Sequence, residues 1–204
     1  MAKQKSNAVR ESILESAIKV FAKTGFYKAK ASEIARKADV AVGTIYNYFK
    51  NKDDILISIF NERIGELNDS IRVAMQTVER PEEKLSVILD STLSVLEQDR
   101  ELAEVITIEL RQSSKFFSST AISSVIELLD LMTGVIREGQ QKGIYRADTD
   151  PRLVALMILG TLENLLHAWV LGSKVPELKE KYDVSLKQGI KNLKQILGRG
   201  LAQF

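Results

Sequence analysis

The 204-residue sequence contains no cysteine, a single histidine, a single tryptophan and only three prolines. Without a thiol there is no disulfide framework, thiolate metal site or cysteine nucleophile, and an intracellular setting is expected. One histidine leaves carboxylates alone as ligands for a transition metal, so neither a metal nor a cofactor is expected. No Gly-rich phosphate loop occurs, and no nucleophile is paired with a base at workable spacing, which argues against an enzyme. The first seven residues, Met-Ala-Lys-Gln-Lys-Ser-Asn, are polar and lead into no apolar segment, and no uninterrupted apolar run reaches about 18 residues. Neither export nor membrane spanning is therefore expected, and the location expected is cytoplasmic.

What is present is the composition of a folded chain, 45% hydrophobic and 27% charged, which excludes a disordered or collagen-like polymer. The small net charge of +2 hides an asymmetry. Residues 1–52 hold 11 Lys and Arg against 4 Asp and Glu, whereas the remainder holds 18 against 23. A +7 head on a −5 body suits an anionic partner at the N-terminal end. A solvated charged face is the competing reading, and charge alone does not choose between them.

Apolar residues recur at helical spacing almost throughout, with no convincing period-two stretch, so an all-α fold of about nine helices is expected. Ile13, Leu14, Ala17, Ile18 and Phe21 form one face of a first helix between Arg10 and Lys23, and Gly25 stops it. A short second helix fits Ala31 to Ala38, a turn begins at Asp39, and Val42 or Gly43 starts a third. Two short helices across a tight turn form a helix-turn-helix pattern, whose second helix enters the major groove of DNA. The third helix, Val-Gly-Thr-Ile-Tyr-Asn-Tyr-Phe from Val42, sets Thr44, Tyr46, Asn47 and Tyr48 around an inward stripe of Ile45 and Phe49, and Lys50 and Lys52 close the segment. A fourth helix begins near Asn51, runs through Ile55, Leu56, Ile59, Phe60, Ile64 and Leu67, and is expected to carry motion between head and body. Further helices are expected at 81–98, 101–112, 117–142, 151–171 and 184–202. Pro81 and Pro151 stand at first turns, and Gly143 and Gly172 at ends.

The N-terminal quarter resembles the TetR-type transcriptional regulators. The resemblance is carried by Ile13 to Phe21, Gly25-Phe26, Glu33-Ile34-Ala35, Ala38-Asp39-Val40, Gly43-Thr44, Tyr46, Tyr48-Phe49, Asn51-Lys52 and Ile55-Leu56. It implies a homodimer of all-helical subunits. Residues 1–52 are then the helix-turn-helix DNA-binding domain, and 53–204 a helical ligand-binding and dimerisation domain. Position by position, Thr44, Tyr46, Tyr48 and Lys52 match the family's phosphate contacts, and Val42, Gly43 and Asn47 its groove-facing positions. Many members carry two Thr before helix 2. Here stand Lys30-Ala31 with Ser32 following, so the usual hydroxyl cap is missing or displaced, and Lys30 and Ser32 join the expected DNA-binding set.

Beyond the head, three stretches resemble the branch of this family in bacilli that answers to long-chain acyl-coenzyme A. They are Asn51 to Phe60, Ile108 to Ser113, and Ile158 to Glu163 with Trp169-Val170 behind. This resemblance implies an acyl-CoA or fatty-acid effector. Glu109, Arg111 and Gln112 end one apolar helix, and Glu163, Asn164 and His167 interrupt the apolar face of another. Such groups suit a polar head, with Phe116 and Phe117 along a tail channel, and the planar fork of Arg111 suits a phosphate or carboxylate. Glu109 and Arg111 as surface residues, with His167 in a dimer core, is the alternative. The dimer is expected through the last two helices, from Leu153, Leu156, Met157, Gly160 and Leu165 on one and Leu186, Ile190, Leu193, Ile196, Leu197 and Leu201 on the other.

These expectations make the chain a ligand-responsive repressor that binds a near-palindromic operator as a homodimer and is released by long-chain acyl-CoA or a related ligand. A TetR-type repressor of another apolar effector, and a ligand-independent DNA-binding protein, are the alternatives.

Overall fold

The structure, a computed structural model, describes residues 2–109, 119–175, 177, 180 and 185–201. The elements among the described residues are nine helices: α1 Ala2–Thr24, α2 Ala31–Lys37, α3 Val42–Tyr48, α4 Lys52–Met75, α5 Pro81–Gln98, α6 Arg100–Glu104, α7 Ser119–Gln141, α8 Pro151–Lys174 and α9 Leu186–Gly200. Each sequence-expected helix has its counterpart. The segment expected as one plain helix over 101–112 departs, because α6 passes into a π-helical turn over Val105–Glu109. Four consecutive β-branched residues, Val105-Ile106-Thr107-Ile108, crowd an α backbone there, and the Thr107 hydroxyl donates to the Ala103 carbonyl at 2.7 Å.

By packing, the described chain falls into two compact units, one of residues up to Arg63 with the stretch from Arg100 to Ile122, the other of Ile64–Asp99 with everything from Ser123. In the first unit α1 packs on α2 and α6, and α2 on α3. Ile13, Leu14, Ala17 and Phe21 of α1 are wholly buried, as are Ile34, Ile45 and Phe49 to within 2%. Each side chain of that size contributes about 1.5–3 kcal/mol by leaving water. Gly25 ends α1 at φ 78°, and its amide donates to the Phe21 carbonyl at 2.8 Å. The turn between α2 and α3 passes through Asp39 at φ 54°, a left-handed conformation that a short polar side chain tolerates.

In the second unit α9 packs on α5 and α8, and α5 on α8. Gly189 permits the close approach of α9 to α8, since a Cβ there would stand 2.9 Å from Leu165 Cδ2. Lys84 of α5 holds Glu138 of α7 at 2.8 Å, and the buried amide of Asn68 donates to the Ser124 carbonyl at 2.9 Å and to Glu127 at 3.0 Å. Asp150 caps α8 by accepting from the Arg152 amide at 2.8 Å, and Ser185 caps α9 from the Gln188 amide.

Candidate nucleic-acid interface

The third helix is anchored on one side and open on the other. Ile45 and Phe49, four residues apart, are buried, while Val42, Gly43, Tyr46 and Asn47 are exposed and Thr44 and Tyr48 half-buried. Seven residues make too short a helix to stand alone, so its stability comes from these two anchors. Phe49 is further held by the Arg10 guanidinium, 5.1 Å above its ring, and Arg10 reaches on to Glu62 at 2.6 Å. A second ion pair, Glu11 with Arg63, repeats the α1–α4 link one residue on. The Tyr48 hydroxyl accepts from Ser6 at 3.2 Å.

Gly43 lies inside α3 with nothing within 4 Å of where a Cβ would stand. Gly43 stands in the first turn of α3, and no neighbour among the described residues demands a glycine there, which leaves this surface open to close approach.

The start of α4 is built as tightly as α3 is open. Asn51 caps it by accepting from the Asp54 amide at 2.9 Å, and Asp54 accepts from the Lys50 amide at 2.8 Å. Lys52 turns back toward the α1–α2 connection, where its ammonium donates to the carbonyls of Tyr27 and Ala29, both at 3.1 Å, and sits 4.6 Å from the centre of the Phe26 ring. At the start of α2 the N-cap residue Lys30 makes no side-chain cap hydrogen bond, in line with the missing hydroxyl. The Lys30 amide is instead taken by Glu33 at 3.3 Å, and the side chains of Lys30 and Ser32 are exposed.

Residues 13–59 match the tetR family of bacterial regulatory proteins, and residues 60–197 match the C-terminal region of YsiA-like proteins. The chain belongs to the TetR family. The fatty acid metabolism regulator protein of Bacillus subtilis is 35% identical over 172 residues, 84% of this chain and 86% of its own. Two solved structures carry the likeness into three dimensions. The fatty acid degradation regulator FadR of Bacillus halodurans is 37% identical with a TM-score of 0.82, and FadR of Bacillus subtilis in complex with stearoyl-CoA is 33% identical with a TM-score of 0.83. Each match covers 94% of this chain and 98% of the other.

Against that family pattern, all nine residues expected at DNA fall in the first unit, with Val42, Gly43, Thr44, Tyr46, Asn47 and Tyr48 on one helix. Of the residues expected at a ligand, Arg111, Gln112, Phe116 and Phe117 lie outside the described residues, as does the side chain of Glu109. Glu163 and Asn164 are exposed on α8 and His167 is partly so; the Asn164 amide donates back to the Gly160 carbonyl at 2.8 Å. They share a face with Gly160 and Met157, about one and two turns earlier, rather than the buried face of Val154, Ile158, Leu162 and Leu166.

Sequence reasoning gave no role to Arg10, and Phe26 entered it only through the family resemblance; their contacts with Phe49, Glu62 and Lys52 are tertiary and leave no local signature.

Proposed function

We propose that this chain is a ligand-responsive transcriptional repressor, a homodimer that binds a near-palindromic operator and is released by long-chain acyl-CoA. The observation that carries the reading is the outward face of α3, on which exposed polar and aromatic groups and an unforced glycine stand on two buried anchors. Thr44, Tyr46, Tyr48 and the remaining N–H of Lys52 hold phosphates, aided by Lys30 and Ser32, and Val42, Gly43 and Asn47 meet base edges. Residues 1–52 form the DNA-binding part and 53–204 the ligand-binding and dimerising part. The effector is supported by the Bacillus subtilis relative, a FadR solved with stearoyl-CoA. In this reading Arg111 takes a phosphate or carboxylate of the ligand, with Glu109, Gln112, Phe116 and Phe117 around it.

The second subunit is supported by the uncovered side of α8. Its 22 residues Pro151–Gly172 are long and apolar enough to cross a membrane, yet only 33% of its most apolar stretch is buried. Leu153, Leu156 and Met157 project outward at 54, 50 and 68% exposure, one stripe that a second copy would cover. On α9 the expected stripe divides: Leu186, Ile190, Leu193 and Leu201 are buried within the unit and Ile196 stays outside. The dimer face is accordingly weighted toward α8, with Glu163, Asn164 and His167 beside it. No chemistry on the ligand is required, so the function is binding rather than catalysis, carried out in the cytoplasm.

The test is operator selection from a random duplex pool, followed by titration of the complex with stearoyl-CoA and, separately, stearate. Release by stearoyl-CoA with loss of release in Arg111→Ala supports the reading. Release by neither compound refutes the effector and leaves a TetR-family DNA-binding protein of another signal.

A further inference from the structure

Among the described residues of the first unit, three large apolar or aromatic side chains are exposed: Val42 at 40%, Tyr46 at 56% and Tyr27 at 67%. The first two belong to the outward face of α3. Tyr27 lies in the α1–α2 connection, three residues before Lys30, and is the most exposed of the three, though no expectation gave it a function. Its position is fixed on both sides. Phe26 meets its ring edge-on with centroids 5.6 Å apart, and Lys52 grips its backbone carbonyl at 3.1 Å. The surroundings are cationic, with Lys28, Lys30 and Lys50 all exposed. Two nearby carboxylates, both half-buried, are engaged by backbone amides, Glu33 by that of Lys30 and Asp54 by that of Lys50.

We infer that Tyr27 and Lys28 form a further DNA-backbone contact, in which the Tyr27 hydroxyl donates to a phosphate oxygen outside the segment read by α3 and the Lys28 ammonium adds charge beside it. The inference rests on the DNA-binding reading above. A rigidly held, exposed tyrosine suits the task, since the ring reaches out with little rotamer freedom to lose and the hydroxyl supplies one directional donor. Lys52 joins this edge to the α3–α4 corner, so both phosphate-facing parts move as one piece.

The test is fluorescence anisotropy on a labelled mixed-sequence duplex of about 30 base pairs, about three turns, since phosphate contacts carry no sequence information. Affinities are measured from about 50 to 200 mM KCl for the wild type, Tyr27→Phe, Lys28→Gln and, as reference, Tyr46→Phe. Tyr27→Phe is expected to weaken binding about threefold to tenfold at every salt concentration with the slope unchanged, because a neutral donor releases no counterion. Lys28→Gln is expected to lower the slope by about 0.9. Wild-type affinity for Tyr27→Phe and an unchanged slope for Lys28→Gln, with Tyr46→Phe weakened, overturn the inference and leave DNA binding standing. A wild type that binds no duplex at the lowest salt overturns the DNA-binding reading itself.

Discussion

Lys52→Met tests the brace that its ammonium makes within the fold, apart from the phosphate contact proposed for it. The substitution keeps the aliphatic stem and removes the donors to the Tyr27 and Ala29 carbonyls, both at 3.1 Å, together with the charge 4.6 Å from the Phe26 ring. Each charge-assisted bond at a half-buried site contributes about 1 kcal/mol, and the cation–ring contact about 0.5–1 kcal/mol. Against these stands up to about 1 kcal/mol of side-chain entropy released when the lysine is no longer held. The net expectation is a loss of about 2 kcal/mol, because the carbonyl of Ala29, a residue only 5% exposed, finds water poorly. In a chain of this size that lowers the melting temperature by about 4–8 °C. Far-UV circular dichroism melts measure it, with Lys50→Met as control, since Lys50 makes its contact to Asp54 through the backbone amide. Amide hydrogen exchange in the Gly25–Lys30 turn is expected to accelerate in the first variant alone. If Lys52→Met melts within about 1 °C of the wild type, the brace contributes nothing to stability and the reasoning is refuted.

Two glycine substitutions are expected to run in opposite directions. Gly43→Ala meets nothing within 4 Å, so stability should rise by about 0.4–1 kcal/mol while duplex DNA binding weakens; unchanged DNA affinity would remove the argument for close approach at that position. Gly139→Ala drives a Cβ to 2.1 Å from Tyr145 Cδ2, in a ring that is buried and cannot withdraw, and should cost about 2 kcal/mol or more. Gly134→Ala, on the same helix with open space around it, is its control and should melt at or above the wild type.

Helix ends were the most legible part of this chain because their signals are local. Gly25 stops α1, Pro81 and Pro151 open α5 and α8, and Asn51 with Asp54 opens α4, each close to where a rule on backbone freedom or capping puts it. The stripe of Ile45 and Phe49 fixed which side of α3 turns inward, and with it the outward set. What stayed hidden depends on who stands opposite. The 3.6-residue period of α9 is the same whether its stripe meets α5 and α8 or a second subunit, and only the buried Leu186, Ile190 and Leu193 decide for the former. Glu163 and Asn164 are polar breaks in an apolar helix, a pattern that a lined pocket and an exposed face produce equally. The double grip of Lys52 links residues 23 and 25 positions apart, beyond the range of any periodicity.

That grip bears on how the head meets DNA. A lysine free to search for a phosphate loses about 1.5–2 kcal/mol of rotamer freedom when it finds one. Here two N–H groups of Lys52 are already engaged, so the third points from a side chain whose ordering cost was met when the chain folded. Phe26 meets the Tyr27 ring edge-on, and Arg10 holds Phe49, the buried anchor beneath the outward face of α3. The contacts proposed for Lys52 and Tyr27 are thus backed by neighbours before any partner arrives, which lowers the entropic cost of association.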